Sequence, residues 1–132
     1  MSSVLNKRYK VYVAELLRFH KNYYTIFVQM DNNYGQTFQV TGNLQQGMEY
    51  RQVGPTNPED DPTHIASHLV GTVDVMKFSE IDQICRQIPP PAKQFLGAKR
   101  TNPSEPLRNY TEWVMQVINA LEAQGILLRE DN

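Results

Sequence analysis

The feature that most narrows the fold of this chain is a turn signal set between two runs of strand-forming residues. Asp31-Asn-Asn-Tyr-Gly35 supplies consecutive residues that tolerate positive φ. Tyr23-Tyr-Thr-Ile-Phe-Val-Gln-Met30 precedes it and Gln36-Thr-Phe-Gln-Val-Thr41 follows it, both rich in β-branched and aromatic side chains. The pattern predicts a β-hairpin folded about Asn33. In that register Phe27 faces Gln39, and Tyr23 lies on the same side of the pleat because side chains alternate with period two.

The flanking segments extend the sheet. Tyr9–Leu16 is a further strand run, separated from the Tyr23 run by the polar break His20-Lys-Asn22. Gly42 and Gly47 bracket a turn, and Met48–Val53 reads as a shorter strand. Gly54–Thr63 holds three prolines and three acidic residues, so it cannot continue a sheet and is expected to be a surface loop. His68–Met76 resumes a strand pattern through Leu69, Val70, Val73 and Val75.

Two helices follow. Ile81, Ile84, Cys85 and Ile88 fall at i, i+3, i+4 and i+7, with Ser79 as the expected N-cap, Asp82 in the first turn and Pro89-Pro-Pro91 as the stop. Ala92–Glu105 reads as irregular. A second helix is expected from about Tyr110 to Gln124. Asn109 and Glu112 have capping-box spacing, Trp113, Val114, Val117, Ile118 and Leu121 form its apolar stripe, and Gly125 suits the position after its end. The fold class is therefore α+β, an antiparallel sheet of about five strands with two packed helices. At 132 residues the chain suits one domain, 1–132, with its core at about 8–127.

Composition removes several classes of function. Thirteen basic and fourteen acidic residues leave a net charge of −1, without the basic stripe of a nucleic-acid binder. Lys93, Lys99 and Arg100 read as a solvated loop. No apolar run approaches the roughly 20 residues of a membrane span. Met1–Lys10 lacks an apolar signal core, and the single Cys85 precludes an internal disulfide. The expected location is the reduced cytoplasm. His20, His64 and His68 lack zinc-site spacing, and Glu59-Asp60-Asp61 lacks the ligand order of a calcium loop, so neither metal nor cofactor is expected.

The stretches Tyr23-Tyr-Thr-Ile-Phe-Val28, Gly35-Gln-Thr-Phe-Gln-Val40 and Asn109-Tyr-Thr-Glu-Trp-Val114 carry a resemblance, supported by His68-Leu-Val-Gly-Thr-Val73 and the capped helix after it. Over roughly residues 8 to 127 the chain resembles the circularly permuted branch of the NlpC/P60-like, papain-type families. That branch includes lecithin–retinol-acyltransferase-like proteins and small fungal proteins. The resemblance implies a permuted papain-like fold with a cleft between the second helix and the sheet. The family's histidine position is occupied by Tyr23, its polar orienter by Gln39 and its cysteine nucleophile by Tyr110, while the helix tryptophan is kept as Trp113. A phenol titrates near 10 and does not replace a Cys–His pair, so cysteine-hydrolase chemistry is not expected. Cys85, on an apolar helix stripe, reads as a buried small hydrophobe.

Tyr110, Tyr23 and Gln39 are thus the candidate catalytic residues, with Tyr24, His20, His68 and Trp113 as candidate ligand contacts. Tyr110 is expected beside free backbone N–H groups, where its hydroxyl would donate to a ligand carbonyl. The alternatives are plain: strand aromatics for Tyr23 and Tyr24, a helix-end cover for Tyr110, solvated histidines for His20 and His68, and a core residue for Trp113. Two functions stay open. One is a remodelled cleft that binds a small molecule, with noncovalent isomerase or cyclase chemistry as an extension. The other is a catalytically dead domain serving as a protein-interaction module, with homo-oligomerisation possible in either case.

Overall fold

The alternating runs of the first half resolve into five long strands: β1 (Arg8–Arg18), β2 (Lys21–Asp31), β3 (Tyr34–Asn43), β4 (Gly47–Thr56) and β5 (His64–Asp74). This computed structural model describes residues 7–18 and 21–130. After β5 come α1 (Ser79–Gln87), a short ribbon of β6 (Phe95–Leu96) and β7 (Lys99–Arg100), α2 (Tyr110–Ala123) and β8 (Leu127–Arg129). The main sheet is antiparallel and six-stranded, in the order β4-β3-β2-β1-β5-β8. Its sixth strand, beyond the five expected, is β8, which is too short to display a period. The β6–β7 ribbon lies in the stretch read as irregular.

The hairpin forms where the turn signal places it. Asn32 and Asn33 both take positive φ, 44° and 70°, between the paired Asp31 and Tyr34. A register shift follows between Gln29 and Asp31, and a Cβ at Gly35 would collide with the Val28 carbonyl. The result sets Phe27 opposite Thr37 rather than Gln39. The two-residue slip preserves the parity of every side chain. The β2–β3 ladder ends at Ile26 and Phe38. Beyond it the Tyr23 hydroxyl donates to the Val40 carbonyl at 2.6 Å, so a side chain supplies the bond that the parted strands do not.

Both helices lie on one face. Val11, Ile26, Val28, Phe38, Val40 and Val73 meet Ile81, Ile84 and Cys85 of α1 and Trp113, Val114, Val117, Ile118 and Leu121 of α2. Helix α2 has the expected capping box, and Gly125 takes φ 74° after its end. Helix α1 differs: Ser79 is its first residue, not its cap. The capping bond lies upstream, where the Asp74 carboxylate accepts from Met76 N at the start of a 3₁₀ turn, Val75–Lys77, that runs into the helix.

Ala14, Leu16, Thr25, Phe27 and Thr37 are also buried, on the opposite face. Strand β4 lies at one edge of the sheet and β5 beyond β1, so the connection between them must cross three strands. Residues 54–56, expected to be loop, instead complete β4, whose edge position tolerates Pro55; the rest of the proline-rich segment forms the cover of that face. Tyr34 Oη donates to Asp60 Oδ2 at 3.1 Å, Arg18 pairs with Asp61 at 3.1 Å, and Leu17 N donates to the Thr63 carbonyl at 2.9 Å. Within the crossing, Pro58 is buried. Among the described residues, no helix is long and apolar enough to cross a membrane.

Candidate functional site

Two tyrosines meet at the start of α2. Tyr110, the first residue of the helix, packs edge-on against Tyr23 of β2, with ring centroids 4.9 Å apart and planes at 68°. Tyr23 is buried and Tyr110 partly so. Both hydroxyls are engaged by backbone: Tyr23 with Val40, and Tyr110 with the Asn22 carbonyl at 2.8 Å. Burial pushes the Tyr23 phenol up to about 12, although the Arg18 guanidinium, 5.2 Å from its ring centre, pulls the other way. Burial likewise raises Tyr110. Both phenols are therefore protonated at neutral pH, and neither is a base.

A cleft of about 520 Å³ opens beside the pair. Its far wall is the β3–β4 turn. Gly42 and Gly47 take φ 119° and 90° there, and the Asn43 side chain accepts from Gln45 N and Gln46 N at 3.0 and 2.9 Å. Phe95 and Leu107 close another side. The segment that carries them is pinned to the turn by Met48 N on the Pro91 carbonyl and Gln94 N on the Leu44 carbonyl, both 2.8 Å. Gln94 also clamps Arg108: its Nε2 donates to the Arg108 carbonyl and its Oε1 accepts from Arg108 N, each at 2.8 Å. Lys21 and Arg18 line the cleft, and no carboxylate does.

Two of the N–H groups expected to be free beside Tyr110, its own and that of Glu112, are taken by the Asn109 side chain. Tyr110 N donates to Asn109 Oδ1 at 2.8 Å, and the Glu112 carboxylate accepts from Asn109 N at 2.6 Å. The helix terminus thus already has its negative partner. What the arrangement offers a ligand is an aromatic wall, apolar sides and two cations, of which Arg18 is paired with Asp61.

Of the other residues read from sequence, Gln39 lies apart. It shares the parity of Tyr23 but lines a second cavity, under the β4–β5 crossing. Tyr24 packs against the core from the helix-facing side. Trp113 is fully buried, and its Nε1 donates to the Ile88 carbonyl at 3.1 Å, so it serves the core rather than the cleft. His68 reaches the area only indirectly. Its Nε2 lies 3.1 Å from Glu15 Oε1, Glu15 Oε2 accepts from Asn22 Nδ2 at 2.5 Å, and the Asn22 carbonyl holds Tyr110. His20 lies outside the described residues. His64 meets Ser67 Oγ at 3.0 Å, and no metal-holding cluster occurs among the described residues. Cys85 is buried in the core, where burial pushes its thiol up to about 12. Lys21 and Asn43 escape sequence reading because they sit at the ends of strands, and Phe95 and Leu107 because a stretch without periodicity carries them; the Gly42/Gly47 bracket is the one signal that pointed there.

Comparison with curated proteins and with solved structures gives no match. The model of DUF6540, a family of unknown function, matches residues 11–128, nearly the whole of the chain, and the chain belongs to that family.

Proposed function

We propose that this domain binds a small organic molecule noncovalently in the cleft at the start of α2. The ligand would have an apolar, preferably aromatic body and an anionic group. One observation carries the reading: the Tyr23–Tyr110 pair walls an open space of about 520 Å³ lined, among the described residues, by Lys21 and by Arg18, the latter paired with Asp61 outside the cleft, and by no acid. That volume falls in the usual range for small-molecule sites. Both phenols are committed to backbone carbonyls, which favours binding over acid–base turnover. The permuted papain-like assignment belongs to the same reading. It is supported by the order of hairpin, capped helix and first-turn tryptophan facing the sheet. A reduced, cytoplasmic setting fits a lone buried cysteine.

The anionic aromatic dye 8-anilinonaphthalene-1-sulfonate matches this ligand class. Followed by amide chemical shifts, it should bind saturably and move Lys21, Gly42, Leu107 and Tyr110. Lys21→Glu and Tyr110→Ala should each weaken it about tenfold, the loss of one favourable contact. Shifts that map elsewhere, or affinity indifferent to both changes, would refute the proposal. Exposed Leu96 and Leu107, at 71% and 44%, favour a second reading as an interaction module. Concentration-dependent broadening of those two residues without dye would support that alternative.

A further inference from the structure

The sheet face turned away from the helices holds a second cavity, of about 360 Å³, between the strands and the β4–β5 crossing. Among the described residues, the buried polar side chains are Thr25 and Thr37, at 2% and 9% exposure, and both line this cavity. Their buried neighbours on that face, Ala14, Leu16 and Phe27, are apolar. Valine has nearly the same shape as threonine and is equally at home in a strand, so packing alone gives no reason for a hydroxyl here. Burying one carries a cost that a partner must offset. Thr37 finds such a partner in Thr56, at 2.9 Å. Gln39 follows on the same face and adds an amide.

The crossing adds matching groups from above. Asp60 Oδ2 accepts from Tyr34, which leaves its other oxygen as an acceptor. Asn57 uses its carbonyl oxygen on Glu59 N, which leaves its NH₂ as a donor. Arg18 spends one guanidinium nitrogen on Asp61, whose carboxylate balances its charge. Donors and acceptors thus stand close together around a floor on which Thr25, Thr37 and Gln39 lie beside apolar Leu16 and Val53. Asp60 and Asp61 disfavour an anion, while Arg18 disfavours a cation. The ligand that uses such a lining is uncharged and carries several hydroxyls, each both donor and acceptor.

We infer that this cavity is a binding site for a neutral polyhydroxylated molecule of mono- or disaccharide size; it shares Arg18 with the cleft at α2 but has an otherwise separate lining. The test is an amide-shift titration with glucose, galactose, mannose, N-acetylglucosamine and maltose, each to about 50 mM, beyond the millimolar affinities usual for so few contacts. At least one sugar should shift Thr25, Thr37 and Gln39 saturably while Tyr110 and Leu107 stay still. Thr25→Val should weaken that sugar about tenfold and leave the melting temperature of the unliganded protein unchanged or higher. Gln39→Ala, at a less buried position, should weaken it comparably. The proposal is overturned if no sugar saturates, or if the shifts fall on the α2 cleft. It is also overturned if Thr25→Val lowers the melting temperature of the unliganded protein, which would make the hydroxyl structural. The dye titration reads the other cavity, so failure of one reading leaves the other standing.

Discussion

Tyr23 shows how one side chain takes over work that the backbone leaves undone. Where β2 and β3 part, its hydroxyl reaches the Val40 carbonyl, and its ring seats Tyr110. Tyr23→Phe keeps the ring and strands a buried carbonyl. It should cost about 1–2 kcal/mol in urea unfolding, with the dye site intact. A cost near zero would mean that water replaces the phenol. Tyr23 and Tyr110 are singled out together from the sequence, and their rings do meet. The exclusion of Gln39 was not legible there. It depends on where the β2–β3 ladder stops, and no local pattern encodes that end point.

At the scale of elements, local chemistry was the readable part. The Asn32–Asn33 turn and the Asn109–Glu112 box involve residues within four positions of one another, and both form as the sequence suggests. Ser79 shows the limit: a good capping residue is displaced when a 3₁₀ turn capped by Asp74 runs straight into the helix. The α2 cap both ends a helix and positions Tyr110 at the cleft. Asn109→Ala should therefore destabilise the fold by about 1 kcal/mol in denaturant melts. Asn109→Asp should retain most of that stability, because a carboxylate also accepts the terminal N–H groups and suits the helix dipole. A loss near zero from Asn109→Ala would show that the cap contributes little.

For the whole molecule, the sheet is covered on both faces, by helices on one and by a single proline-rich crossing on the other. Composition announced the crossing as a loop but not its role, because the strand order that forces it over the sheet arises from pairings distant in sequence. Asp61 anchors it. Hydrogen bonds from Thr63, through its hydroxyl and its N–H, lower the Asp61 carboxyl below its ordinary 3.8, and Arg18 adds to the effect. A carboxyl lowered on folding stabilises the native state above its unfolded value. That contribution is fully present above about pH 4 and is lost as pH falls through the lowered folded value. Thermal melts between about pH 6 and pH 2 should show Asp61→Asn flattening part of the acid limb. An unchanged limb would place the acid sensitivity elsewhere.

The strap that bears Phe95 and Leu107 has its own consequence. It is held by a two-rung ribbon, a few backbone bonds and the Gln94 clamp, whereas the opposite wall is rooted in β2 and α2. The two walls therefore belong to different cooperative units. On the binding proposed for this cleft, breaking the Gln94 clamp should release the strap while the sheet and its helices stay folded, and a guest would then enter and leave by a local opening far cheaper than global unfolding.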